Sequence, residues 1–185
     1  MLTCKKPLHG ILKRMRRHFI IALLIVAFIG IFDAGFLTKE HYSNSIPPCS
    51  TSIWVDCGRV LKSQYAMIGP LPLAVLGLAY YSTMFGLGVV RLMIEKQPTV
   101  KDMLWKMVEK YARPHSWTLE KMLFVFQMLI ASSAFLFSLY FVYLQLVVIG
   151  AICLYCMGSA LLSTVLFLIT FIEYWRFFKG RWLEN

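Results

Sequence analysis

MLFVFQMLIASSAFLFSLYFVYLQLVVIGAICLYCMGSALLSTVLFLITFI, residues Met122–Ile172, runs for 51 positions without a Lys, Arg, Asp, Glu or His. A single helix of that length would extend about 75 Å. A bilayer's hydrocarbon core is only about 30 Å thick. The stretch therefore reads as two membrane spans joined by a short turn. Gln145 and Gly150 supply the polar and helix-breaking residues near its middle, which puts the expected turn near 143–149. Two more apolar blocks stand upstream. Phe19–Leu37 is interrupted only by Asp33, and Ile68–Val90 carries no charge. Each is long enough for about one span.

The expected fold class is thus an all-α membrane protein, a four-transmembrane-helix bundle with spans at about 19–38, 68–92, 120–142 and 149–173. Composition agrees. The chain is 59% apolar and 15% charged, with a mean hydropathy of +0.67. The first block follows a basic stretch, as a signal peptide would. However, it is longer than a usual signal-peptide core, and no small-x-small cleavage site follows it. It reads as a retained helix.

The net charge of +10 is explained by where the charges fall. Of the 19 Lys and Arg residues, 16 lie in the tail 1–18, the middle loop 93–119 with its borders, or the tail 176–185. With four spans, these three segments share one side of the membrane. The opposite side keeps Lys39, Arg59 and Lys62. By the positive-inside rule the basic side is cytoplasmic, with both termini there. The expected location is the cell inner membrane, and no nucleic-acid partner is expected.

The loop 39–67 is then the sizeable extracytoplasmic segment. Asn44, Pro47 and Pro48 favour irregular structure there. From Asp56, a fair N-cap, Val60, Leu61 and Gln64–Tyr65 follow at helical spacing. That pattern predicts a short half-helix cap lying in the interface, with Val60 and Leu61 dipping into lipid. Gly69-Pro70-Leu71-Pro72 is expected to open span two. In the middle loop, Met103, Leu104, Met107 and Val108 alternate with Lys101, Lys106 and Lys110, the pattern of a helix on an anionic lipid surface.

Five cysteines are present. Cys4 falls in the cytoplasmic tail, where thiols stay reduced, and is assigned no role. Cys49 and Cys57 fall in the outside loop. Cys153 and Cys156 fall in the first turns of span four, which enters from the outside. All four therefore gather at one membrane face. Structural disulfides and a four-thiolate metal site are two available explanations. The spacing Cys153-Leu154-Tyr155-Cys156 favours a third. It puts two sulfurs on one helix face, closes too short a loop to restrain the unfolded chain much, and suits redox exchange. A helix N-terminus also favours the thiolate. Two pairs suggest a relay in which a loop cysteine exchanges with a helix cysteine through a mixed disulfide. No Gly-x-Gly-x-x-Gly fingerprint occurs, and Met157 after Cys156 excludes a haem-attachment motif. A quinone dissolved in the bilayer is the natural acceptor.

These residues resemble the vitamin K epoxide reductase family: Cys49, then Cys57 through Ala66 (CGRVLKSQYA), then Gly69-x-x-Pro72-Leu73-Ala74-x-Leu76-Gly77-Leu78-x-Tyr80-Tyr81, then Cys153-x-x-Cys156. The resemblance covers about residues 19–175 and is greatest to bacterial members that generate disulfides. It implies a bundle around a quinone, ubiquinone or menaquinone, capped by the outside loop. It implies that Cys156 faces the quinone, that Cys153 exchanges with Cys57, and that Cys49 takes electrons from a periplasmic thioredoxin-like disulfide oxidase. Ser63 matches the family serine that hydrogen-bonds the quinone, and Tyr65 an aromatic position lining the cap.

There are departures. Many bacterial members carry a fused thioredoxin-like domain; this chain stops at Asn185, which implies a separate partner. Where animal members have a tyrosine four residues after the last cysteine, this sequence has Ala160. Leu71–Leu76 also lacks the asparagine of the animal enzymes. Ordinary quinone reduction coupled to disulfide formation fits these residues better than vitamin K epoxide reduction.

Among the remaining residues, Asp33 is an intramembrane acid near the outside end of span one. Gln127 and Gln145 are expected to bond between helices. Trp54, Tyr80, Tyr81, Tyr140, Tyr143 and Tyr155 read as an outer aromatic belt.

Overall fold

The computed structural model describes residues 5–43, 49, 54–96, 103, 106 and 119–179. Cys4 and all of the expected surface helix except Met103 and Lys106, which are helical, lie outside them. Four long helices are α1 (Lys5–Tyr42), α3 (Leu73–Lys96), α4 (Leu119–Tyr143) and α5 (Leu154–Glu173), with a five-residue α2 (Cys57–Leu61) between the first two. All four long helices are long and apolar enough to cross a membrane, as the sequence led one to expect. They run up, down, up and down, so one end of the bundle collects the cysteines and the other the basic residues.

The helix ends show how local chemistry overrides hydropathy. Residues 5–18 continue α1 rather than forming a separate tail, and Pro7 falls in the first turn, where its missing N–H costs nothing. Span two does not open at Gly69. Met67–Ile68 and Leu71–Pro72 instead pair antiparallel as β1 and β2. Their two-residue turn begins at Gly69, whose φ of 60° suits glycine. The turn between α4 and α5 also lies later than 143–149. The chain keeps a π-helical turn over Leu144–Ile149. It stops at Gly150 (φ 64°), whose N–H bonds the Gln145 carbonyl, a left-handed C-cap.

α1 packs most intimately on α3 and then on α5, α5 packs on α4, and α3 meets α4 more sparsely. A buried cluster of Leu23, Ala27, Ala34, Tyr81, Met84, Ala131 and Leu166 holds the centre. Small residues on α1 and α3 make the approach possible, as is usual where lipid gives no hydrophobic drive. A methyl on Gly30 would overlap the Tyr81 ring, and one on Gly88 would lie 2.9 Å from Leu24. Gly30→Ala is therefore expected to cost about 1–3 kcal/mol and lower the thermal midpoint in detergent. A midpoint equal to wild type would show that the ring moves aside freely.

The basic end holds a charge network. Arg91 (2% exposed) and Glu173 (0%) form a buried salt bridge. Arg91 Nη1 donates to Gln127 Oε1 at 2.7 Å, and its guanidinium lies 5.0 Å from the Phe124 ring centre. Gln127 thus bonds between helices as expected. Arg91, counted above among the loop charges, is instead buried within α3.

Candidate redox site

The outside cap is stitched to the α4–α5 turn by backbone. Val55 and Ile152 form a parallel bridge. Ile152 N–H donates to Trp54 O (2.8 Å) and Asp56 N–H to Ile152 O (3.1 Å). Asp56 then caps α2 by accepting from Arg59 N–H at 3.1 Å. Arg59 reaches back to the Ile149 carbonyl at 3.0 Å, a cation on the C-terminal end of the π turn. This stitching sets Cys57, the first residue of α2, beside Cys153, the N-cap of α5.

The sulfurs of Cys49, Cys57 and Cys153 all lie within 4.8 Å of one another, and all three residues are buried. Cys49 and Cys57 form a disulfide with Cα atoms 5.8 Å apart, while Cys153 and Cys156 are free thiols. Cys153 Sγ accepts from the Cys156 N–H at 3.4 Å, so the helix start itself supports negative charge on that sulfur. A second contact orients Cys153: its N–H donates to the buried Gln145 Oε1 at 2.9 Å. Gln145 thus serves the redox turn rather than bridging two helices. The π-helical turn that presents it is a recurrent device at functional sites. Three sulfurs at this spacing could hold a metal ion, but with two of them joined, Cys153 is the one thiolate available, fewer than a zinc site needs.

Beneath the cap, a cavity of about 530 Å³ lies between α3 and α4, walled by α5 and α1. Cys156 stands on its wall with Ser63, Tyr65, Tyr80, Tyr81 and Ser159. The volume is that of a small-molecule site. Val60 lines it too and is 7% exposed, packed against the cysteines. The half-helix therefore turns Val60 inward, not into lipid, because its partners are Cys57, Ala151 and Cys153. Ser63 Oγ–H donates to Val60 O at 2.7 Å, so in this arrangement it offers the cavity an acceptor. Tyr65 occupies the short 3₁₀ turn Gln64–Ala66.

Two tyrosines assigned to the aromatic belt belong here instead. Tyr81 is 1% exposed and its hydroxyl donates to Ser159 O at 2.7 Å. The Tyr80 hydroxyl is buried with no hydrogen-bond partner among the described residues. Hydropathy cannot tell which side of a helix an aromatic faces, and Tyr81 is buried by its fit against Gly30 of α1.

A helical membrane bundle that brings a disulfide and a dithiol together above an apolar cavity defines a class, the intramembrane thiol redox proteins. The sequence matches the vitamin K epoxide reductase family over residues 21–171, and the chain belongs to that family, which implies an oxidoreductase. No curated protein matched it closely.

Proposed function

We propose that this protein is a quinone-linked thiol oxidoreductase that supports disulfide-bond formation. It would take two electrons from a periplasmic thioredoxin-like disulfide oxidase at Cys49/Cys57. It would pass them through Cys57 and Cys153 to the Cys153/Cys156 pair, and from there to ubiquinone or menaquinone. The observation that carries this reading is the sulfur cluster: Cys153 lies within 4.8 Å of the Cys49–Cys57 disulfide, and its pair-mate Cys156 lines the cavity. Exchange needs that contact, because it passes through a mixed disulfide.

The cavity suits a quinone ring. Its lining is mostly apolar with a few polar groups, the usual make-up of such sites. Tyr80 supplies a buried hydroxyl with no hydrogen-bond partner among the described residues, and a carbonyl oxygen would satisfy it. Tyr80 and Tyr65 would hold the ring near Cys156, and Ser63 would join them once its hydroxyl turns from Val60 O to the ring carbonyl. A bound quinone supplies a two-electron, two-proton acceptor. Reduced Cys57 would attack the Cys153–Cys156 disulfide at Cys153, Cys49 would then resolve the Cys57–Cys153 bridge, Cys156 would be held against the acceptor, and the cap would keep water from the sulfurs. The basic tails and middle loop support a reading in which both termini are cytoplasmic and the cysteines lie at the periplasmic face of the inner membrane. Residues 19–175 would then be the catalytic domain, flanked by tails 1–18 and 176–185.

The test uses purified protein in lipid nanodiscs with a reduced thioredoxin-like oxidase and a ubiquinone analogue, followed by quinone absorbance. The expected result is quinone reduction that needs both components and matches partner disulfide formation mole for mole. Partner oxidation at an equal rate without any quinone would refute the proposal.

A further inference from the structure

The sulfur cluster changes character when the loop disulfide opens. Cys49, Cys57 and Cys153 are buried, with sulfurs within 4.8 Å of one another, but Cys49 and Cys57 are joined. A dithiol that reduces their bond gives it two electrons and two protons and becomes a disulfide itself. Three thiols then converge on one point. With a Zn–S bond of about 2.3 Å, two sulfurs on one zinc ion stand about 3.8 Å apart. The backbones of Cys49 and Cys57, with Cα atoms 5.8 Å apart, can present their sulfurs at that separation. Cys156 is not one of the three sulfurs and lines the cavity instead. Three protein sulfurs with a fourth position open is the pattern of an accessible zinc site, not of a closed structural one.

The surroundings suit a thiolate-bound ion. Cys153 Sγ accepts from the Cys156 N–H at 3.4 Å, and the Cys153 N–H is held by Gln145 Oε1 at 2.9 Å. Contacts of this kind orient metal ligands. Arg59, two residues after Cys57, is fixed on Ile149 O at 3.0 Å, and Ile149 packs against the cysteines. A zinc ion with three thiolates carries one net negative charge, which a nearby cation and the start of α5 offset. A donor set of sulfurs selects soft or borderline cations, such as cuprous copper or zinc, over calcium and magnesium.

We propose that Cys49, Cys57 and Cys153 form a redox-gated site for a thiophilic metal ion, shut in the disulfide form and open in the reduced form. As the ion binds, three thiols lose three protons to water, three sulfur–metal bonds form, and no electrons move. Exchange needs the sulfurs of Cys57 and Cys153 free, so the bound ion holds the reduced protein inactive until it is removed. The inference uses the sulfur positions alone and stands whether or not a quinone is the acceptor.

The test uses the full chain with Cys4→Ser in lipid nanodiscs, so that the four outside cysteines are the thiols present. A phosphine reduces the disulfide, taking an oxygen atom from water while the two sulfurs take its hydrogens. After its removal, zinc alone is titrated without air against a chromophoric chelator. The reduced chain is expected to bind one zinc ion, and the disulfide form to bind at least about 100-fold more weakly, beyond the loss seen for an outer partner of a ligand. Cys153→Ser should weaken the reduced chain on the same scale. Cys156→Ser should leave it within about twofold, because the N–H to Cys153 Sγ is kept. Alkylation of the zinc-loaded chain should label Cys156 and spare the other three. Reduced protein that binds no stoichiometric zinc overturns the site, as does equal binding by the disulfide form. Cys156→Ser losing as much as Cys153→Ser also overturns it, by placing the ion on the Cys-x-x-Cys pair.

Discussion

Replacing Cys156 with Ala should stop quinone reduction, with a loss of about three orders of magnitude or more, as when a covalent participant is removed. It should also leave a bridge between Cys57 and Cys153. The geometry gives the reason. Cys153 sits at the N-cap of α5 with its sulfur against the loop disulfide. Without Cys156 its thiolate has one disulfide to attack. Attack on Cys57 Sγ forms the Cys57–Cys153 bond, breaks the Cys49–Cys57 bond, and leaves Cys49 as a thiolate. Cys49 can return the bridge only to the starting disulfide, and the route onward is closed because Cys156, which would take Cys153 from it, has been removed. Alkylation followed by mass spectrometry should find Cys49 labelled and a Cys57–Cys153 cross-linked peptide. Adding Cys57→Ala should abolish the bridge. A Cys156→Ala protein that still oxidises its partner at the normal rate would end the proposed electron path.

How much of this could be read from the residues differs by kind of information. The bundle was legible because the bilayer imposes a length and a composition on each span, and 51 uncharged residues admit few other readings. The meeting of four cysteines at one end was legible for the same reason, since topology alone puts them there. Their order within the cluster needed the Trp54–Ile152 and Asp56–Ile152 hydrogen bonds, which are backbone contacts and leave no trace in side-chain pattern. Gly69-Pro70 was visible as punctuation but did not say whether it begins a helix or turns a hairpin. The π-helical turn hid inside Leu144–Ile149, where every residue but Gln145 is apolar and nothing marks a change of pitch. Tyr81 was misplaced because its burial depends on a glycine in another helix. Arg91 and Glu173 were the least legible. They are 82 positions apart, and each stands where a cytoplasmic border charge is ordinary.

That pair should carry the largest stability effect outside the cysteines. Glu173→Gln is expected to destabilise the bundle by about 3–5 kcal/mol, the scale for orphaning a buried charge. Arg91 would remain 2% exposed with the neutral Gln127 and the Phe124 ring as company, and neither offsets the loss of water around a guanidinium. The pair itself need not be a net gain over an apolar replacement, because both ions are desolvated to make it. This contrast gives the prediction its form. The double replacement Arg91→Met with Glu173→Leu should recover most of the stability that either single change loses, measured as reversible unfolding in mixed micelles. If the double variant is as unstable as the sum of the singles, the two residues act separately and the pair is not the unit. Function should follow stability and not chemistry. Arg91 lies about 12 Å along α3 from Thr83, which lines the cavity, so the refolded double variant should reduce quinone within about twofold of the wild-type rate. A folded but inactive double variant would mean that the basic end is coupled to the redox end through the helices, which the packing of α1 on both α3 and α5 would then have to transmit.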